Sequence, residues 1–380
     1  MNHIDWNFLD SLPPDVSFKI LTCLDDPGDI VRASSVSRIW RDFVIANGMC
    51  KRLFLKKFPQ LSGIADVVDT SKTQQESADI GSSRSAELEQ LKKEHRAFAS
   101  LARGLATLDV DECLADALSA SSTDNYPEEG IHNTLEPRDQ IGDRASYWSS
   151  SGQSNPEVPE RLTYELFSDF CVVTEINVQP FQAFFQENSP IYSAKAVRFR
   201  MGYRKWHDEE EEVDFSKDND GHSFTDKHFV WTYTSQEFPM AQENRLQNFK
   251  LPDPVLCIGG IIQIELLGRV QKQEMDGMFY TCVAHVQVLG RLLSPVFSVN
   301  PLEPPGRFIL MFNPQAEFYK PRNIHEESSE INVTPNMMQR HVGGWEQIFN
   351  MLRGTPWVEV YDSEDEQHDS DEDMVENFAA

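Results

Sequence analysis

Apolar and polar residues follow two different periods along this chain, and the change of period divides it. Over residues 8–60 the period is helical. Val16, Ile20, Leu21 and Leu24 share one face, and Ile39, Trp40, Phe43 and Val44 another that stops at Asn47-Gly48. Leu53, Phe54 and Phe58 mark a third short helix. Residues 61–85 are small and polar and read as a flexible linker. From Glu87 a long helix is expected, because Leu88, Leu91, His95, Phe98, Ala102 and Leu105 recur at steps of three and four, with Glu89 and Lys93 placed as an i,i+4 pair. Leu114, Ala117 and Leu118 extend this helical connector, which covers 86–118.

Beyond residue 119 the period becomes two. Leu162, Tyr164 and Leu166 alternate with polar neighbours, as do Val172, Thr174, Ile176 and Val178. Val197, Phe199 and Met201 face away from Arg198 and Arg200. Phe229, Trp231 and Tyr233 repeat the pattern, followed by Ile262, Ile264 and Leu266 and by Cys282, Ala284, Val286 and Val288. Such strands between Pro, Gly and Asn predict an antiparallel β-sandwich over 119–298. Residues 299–358 read as an appended extension with a strand at 308–312 and a helix at 337–352. The expected class is therefore a multidomain α+β chain: helical bundle, helical linker, sandwich, extension and tail.

Charge adds two segments to this map. The chain holds 34 basic and 61 acidic residues, a net charge of −27, which repels nucleic-acid backbones and anionic membranes. Much of the excess lies in Asp208–Asp220, inside an insertion at 207–221, and in a tail over 359–380. Both read as disordered and solubilising. Ser363 and Ser370, each followed by acids, are candidate phosphorylation sites for an acid-directed kinase. The cysteines at 23, 50, 113, 171, 257 and 282 form no CxxC pair, as expected for thiols in a reducing compartment. No secretory signal or spanning segment is visible, so a protein of the cytoplasm or nucleus is expected.

The N-terminal helices carry their own start signals. Ser11 can cap, Pro13 and Pro14 suit a first turn, and Asp15 complements the positive helix end. So short a bundle displays more apolar side chains than it can bury alone. Some of Leu12, Ile20, Leu21, Leu24, Val36 and Trp40 should therefore meet a partner, each contributing roughly 1.5–3 kcal/mol when fully buried. The alternative is that they close on residues 86–118.

The run Leu12-Pro13-x-Asp15, Ile20-Leu21, Leu24, Asp29-Ile30 and Ser34-Ser35-Val36-Ser37-Arg38-x-Trp40-Arg41 resembles the F-box. F-box proteins are substrate receptors of SCF-type (Skp–cullin–F-box) ubiquitin ligases. The resemblance implies that Leu12, Pro13, Ile20, Leu21, Leu24, Val36, Ser37 and Trp40 contact a Skp-type adaptor and, through it, cullin and RING subunits. Phe54 departs from the pattern, where many members carry Trp.

Farther on, Ala120-Ser121-Ser122, Tyr147-Trp148-Ser149-Ser150 with Gly152, Leu162-Thr163-Tyr164-Glu165-Leu166 and Ile176-Asn177-Val178-Gln179-Pro180-Phe181 resemble a galactose-binding-like jelly roll of the discoidin and Doc type. The whole chain is similar to a plant F-box family that joins the two parts. In such sandwiches the loops at one end bind ligands. The corresponding loops here hold Asp124, Asn125, Tyr126, Trp148, Ser149 and Ser150. Trp148 reads either as a sugar platform or as a core plug, and the two serines either as ligands or as turn-satisfying groups. Asp124 alone makes no calcium cage. Arg198, Arg200 and Arg204 form a basic stripe, read as pairing with the 208–214 acids in preference to an anion or phosphodegron site.

No GxSxG, GxxxxGK[ST], HExxH or GxGxxG occurs, and His207, His222 and His228 lack ligand spacing, so neither an enzyme, a metal nor a cofactor is expected. The reading is a non-catalytic receptor that docks a ligase through its N-terminus and selects a protein target with its sandwich. The competing readings are a lectin-like receptor for glycoproteins and a scaffold that binds the adaptor without forming a ligase.

Overall fold

The computed structural model describes residues 8–71, 83–137, 146–205 and 226–318. The calls on the 207–221 insertion, His207 and His222, the helix at 337–352, the tail and Ser363 and Ser370 lie outside the described residues. The helices are α1 (Phe8–Ser11), α2 (Pro14–Thr22), α3 (Pro27–Ser34), α4 (Arg38–Ala46), α5 (Met49–Lys57) and α6 (Ser83–Thr107). The strands of the first half are β1 (Ile64–Asp69), β2 (Asp111–Glu112), β3 (Leu114–Ala120), β4 (Trp148–Ser149), β5 (Glu160–Leu166), β6 (Phe170–Gln182), β7 (Ile191–Tyr192) and β8 (Ala194–Arg204). Those of the second half are β9 (Phe229–Thr234), β10 (Phe238–Pro239), β11 (Gln247–Ile258), β12 (Ile261–Arg269), β13 (Gln271–Lys272), β14 (Phe279–Tyr280), β15 (Cys282–Leu292), β16 (Phe297–Leu302) and β17 (Arg307–Phe312).

Two antiparallel sheets make the sandwich. One runs β10-β8-β12-β5-β3 with β9 beside β8; the other runs β11-β6-β15-β2 with β4 beside β15 and β7 beside β6. The alternating residues meet between them: Leu162, Tyr164, Val197, Phe199, Met201, Ile262 and Ile264 are buried in one core with Val173, Ile176, Val178, Val286 and Val288. Antiparallel strands with one covered face produce this alternation.

A second core lies at one end of the sandwich. The helices contribute Ile30, Val44, Phe54, Phe98 and Leu101, and the sandwich contributes Phe170, Val172, Leu256, Ile258 and Phe297. Phe54 and Phe98 stand 5.5 Å apart, and Phe170 and Phe297 5.9 Å. Phe170-Cys171-Val172-Val173 at the start of β6 and Val255-Leu256-Cys257-Ile258 at the end of β11 are buried on both faces: Val173 and Cys257 face the sandwich core, Val172 and Ile258 the helices. An unbroken apolar run is what a doubly covered strand requires.

Five expectations change here. Part of the stretch read as linker is structured: β1 pairs in parallel with β17, Val67 is buried, and the neighbouring Gly63 passes so close that a Cβ would collide with the Gly306 carbonyl. The strand expected at 308–312 is β17, the centre of the sheet β1-β17-β16, so this part of the extension is integral to the helical core. Residues 114–120 are β3, paired with β5, because Leu114, Ala117 and Ala120 find their cover in the sandwich core instead of on a helix. The helix α6 carries the expected stripe, but Leu88 is exposed, and burial deepens from Ala97 to Ala102. Glu89 pairs with Lys92 at 2.8 Å, while Lys93 turns to Asp66 at 3.5 Å. The cap position of α2 is Pro13, since Ser11 closes α1.

Two arginines of the basic stripe, Arg198 and Arg200, meet a carboxylate on the adjoining strand β12, while the 208–214 acids with which the stripe was expected to pair lie outside the described residues. Buried Glu265 receives Arg198 at 2.6 Å, Arg161 at 3.3 Å and Arg200 at 3.7 Å, and Arg200 also covers the Trp231 ring at 4.6 Å.

Because β6 and β11 contribute side chains to both cores, the helices and the sandwich should unfold together. Phe98→Ala should cost about 3–5 kcal/mol, and helical circular dichroism and tryptophan fluorescence should report the same lowered midpoint. Two separate transitions would contradict this.

Candidate functional site

Two surfaces stand out, at opposite ends of β6. The first is on the N-terminal helices. Asp26 caps α3 by accepting from the Gly28 N–H at 2.9 Å, and Ser37 caps α4 by accepting from the Trp40 N–H at 3.3 Å. Val16 and Ile20, one turn apart on α2, Val36 just before α4 and Ile39 in its first turn all point to solvent. Ile20 is 44% and Val36 65% exposed. Pro13 and Ser37 are also exposed, and Leu12, Leu24 and Trp40 are half-buried. Leu21 is a correction: it lies beside Ile20 in sequence but 100° away around the helix, and it is buried in the helical core. The apolar residues of α2 thus serve two faces, and Val16 and Ile39 join the outer one.

The second surface is a cleft of about 140 Å³ at the far end of the sandwich. It forms where β6 ends against β7 and β15 begins against β4, with Phe181 opposite Tyr192 and Cys282 opposite Ser149. Tyr147, Phe181, Tyr192 and Tyr280 supply its aromatic walls, and Asp124 and Glu129 its charge. Tyr147 stacks on Phe181 at 3.7 Å, and its hydroxyl donates to Glu129 at 2.8 Å. The Tyr280 hydroxyl donates to Asp276 at 2.6 Å. Burial, then the neighbouring Asp276, pushes the Asp124 carboxyl above its ordinary range. Burial, then the Glu129 hydrogen bond, raises the Tyr147 phenol, and burial lifts the Cys282 thiol to about 12, leaving it inert.

The loop residues chosen from sequence divide. Asp124 and Asn125 line the cleft, together with Ser149, which is buried, and Tyr126 is exposed on the same loop. Trp148 is fully buried and its indole N–H donates to the Ser122 carbonyl at 3.0 Å, so it is a core plug and no platform. Ser150 is buried too, and its hydroxyl accepts from Arg269 at 2.8 Å and from the Thr281 N–H at 3.0 Å. Tyr147 was legible: on a strand the neighbour of an inward residue points outward, so a buried Trp148 implies an outward Tyr147. Tyr192 and Tyr280 left no such sign, since β7 and β14 are two residues long.

A buried ion pair holds the cleft's walls. Arg269 bonds Glu160, donates to the Ser151 carbonyl at 2.8 Å and to that of Phe279 at 3.0 Å, and Glu160 accepts from Ser121 and Ser122. Among the described residues, no group of three or more His, Cys, Asp or Glu could hold a metal, and no helix is long and apolar enough to cross a membrane.

A profile of F-box-like domains matches residues 9–56. An F-box protein of Arabidopsis thaliana is 47% identical over 97% of this chain and 99% of its own length. Among solved structures, a family 32 carbohydrate-binding module from Streptococcus pneumoniae is similar at 11% identity, covering 47% of this chain and 98% of that one, with a TM-score of 0.31. A carbohydrate-binding module of a family 31 glycoside hydrolase from Clostridium perfringens, at 14% identity, covers 46% and 90% with a TM-score of 0.29.

Breaking the buried pair from one side leaves an uncompensated charge. Arg269→Met should cost about 3–5 kcal/mol. The double variant Arg269→Met/Glu160→Gln should recover part of that loss, as urea denaturation of the four members of the cycle would measure.

Proposed function

The chain belongs to the F-box proteins, and from that premise we propose that it is the substrate-recognition subunit of an SCF-type ubiquitin ligase. The exposed apolar face of α2 and α4 docks a Skp-type adaptor, and the far end of the sandwich recruits a protein target. The observation that carries this reading is the placement of the two surfaces. The strand β6 starts in the helical core at Phe170 and ends in the cleft at Phe181, eleven steps of ~3.3 Å, or about 36 Å. Because one strand runs from the helical core through the sandwich core to the cleft, a target held in the cleft keeps a set distance from the adaptor. The receptor's contribution is then proximity: the target stays near the conjugating machinery at high effective concentration, and the chain itself needs no catalytic group. The free cysteines, all unbridged, suit the reducing cytoplasm or nucleus where such a ligase would act.

The lectin-like reading loses its platform with the burial of Trp148. The purified full chain should bind a Skp-type adaptor with sub-micromolar affinity and bring cullin with it. Leu12→Ala/Pro13→Ala should abolish capture, and Ile20→Ala and Val36→Ala should each weaken it about tenfold, near 1.4 kcal/mol, with the melting temperature unchanged. Leu21→Ala should instead lower the melting temperature. A folded wild-type chain that captures no adaptor would sink this function, and capture without cullin would favour a scaffold.

A further inference from the structure

Five acids of the sandwich are neutralised by ion pairs. Glu157 pairs with Lys195, Glu160 with Arg269, Glu237 with Arg198, Glu243 with Arg245 and Glu265 with three arginines. Asp124 and Glu129, which line the far cleft, have no ion pair among the described residues. Glu129 and Asp276 receive tyrosine hydroxyls, and Asp276 also the Met278 N–H. Lys272, on the adjoining hairpin, is turned over the Phe279 ring instead, and Arg269 is already saturated by Glu160 and the surrounding backbone. Two carboxylates lining one small cleft without a paired cation leave it negatively charged, and an incoming cation is attracted there.

The walls and rim narrow the ligand further. Rings of Tyr147, Tyr192 and Tyr280 line the cleft, and aromatic faces attract planar cations. At about 140 Å³ the cleft is smaller than the ~300–1,000 Å³ of small-molecule sites, so it suits a single side chain. Tyr147 presses one ring face against Phe181 at 3.7 Å, which leaves little open platform for a sugar. Around it, Phe184 and Phe185 are 62% and 61% exposed and Met275 92%, on loops whose neighbouring residues line the cleft.

We propose that this cleft binds an arginine side chain of the protein target, its guanidinium held by Asp124 and Glu129 among the tyrosine rings, with Phe184, Phe185 and Met275 receiving apolar flanking residues. The proposal rests on the reading of this end of the sandwich as the target-binding end.

The test is a titration of the full chain with acetyl-Phe-Arg-Leu-amide, its citrulline counterpart and galactose, followed by saturation-transfer NMR. The arginine peptide should bind, and the isosteric but neutral citrulline peptide at least about tenfold more weakly. Binding should fall on raising the salt. Asp124→Asn and Glu129→Gln should each reduce arginine binding about tenfold with the melting temperature unchanged. If Glu129→Gln unfolds, Asp124→Asn carries the test alone, since that carboxylate has no hydrogen-bond partner among the described residues to lose. Equal binding of arginine and citrulline peptides, binding of galactose alone, arginine binding indifferent to Asp124→Asn, or no binding of any probe would each overturn the proposal. Adaptor capture is measured on the same preparation. Capture without arginine binding refutes the cleft proposal and leaves the receptor reading standing; arginine binding without capture supports the cleft and refutes the ligase reading.

Discussion

The shared core that buries Phe54 and Phe98 of the helices together with Phe170, Val172 and Ile258 of the sandwich is the feature on which the rest of this molecule depends. A bundle of four helices of eight or nine residues has too little interior to be comfortably stable alone. Here it borrows an interior from α6, from the sheet β1-β17-β16 and from the end of the sandwich. The borrowed core satisfies the inward faces of the short helices, and the outward apolar residues of α2 and α4 are what remains for a partner. Rigidity follows from the same contact. Interiors are close-packed, so a shared core behaves as a joint with little freedom.

At the other end of β6 the organising force is electrostatic. The pair Arg269–Glu160 lies buried, and its remaining hydrogen-bonding capacity is spent on the loops at Ser121–Ser122, Ser150–Ser151 and Phe279. Such a pair contributes little net stability against an apolar replacement, but it specifies geometry, because each loop must present its carbonyl or hydroxyl in one place. Among the described residues the cleft acids in front of this network have no ion pair. One buried arginine thus shapes the walls, and the acids it does not reach give the cleft its chemistry.

How much of this could be read in the chain depends on the range of the interactions. The N-terminal motif was legible because helix periodicity, prolines and caps act within a few residues of each other. Alternation marked the sandwich core for the same reason: Val197, Phe199 and Met201 point one way wherever the strand is placed. The splitting of α2 into Ile20 outside and Leu21 inside was not separable, since both are apolar and only the neighbours decide which is covered. The unbroken runs Phe170–Val173 and Val255–Ile258 did carry a sign of double burial, which alternation-based reading passes over.

By itself, then, the sequence determined the local and periodic features: the receptor-type helices, a two-layered sandwich and a core-forming α6. Tertiary structure alone decided the features made by residues distant along the chain. Ile64–Asp69 became a strand because Arg307–Phe312 offered it a partner more than 230 residues away. Leu114–Ala120 became a strand because β5 lay open beside it. Trp148 became the core plug because the Ser122 carbonyl waited on the inner side, and Tyr147 came to line the cleft because Phe181 offered it a ring to stack on. Each of these outcomes is set by burial and hydrogen-bond satisfaction at long sequence separation, which a local pattern does not contain.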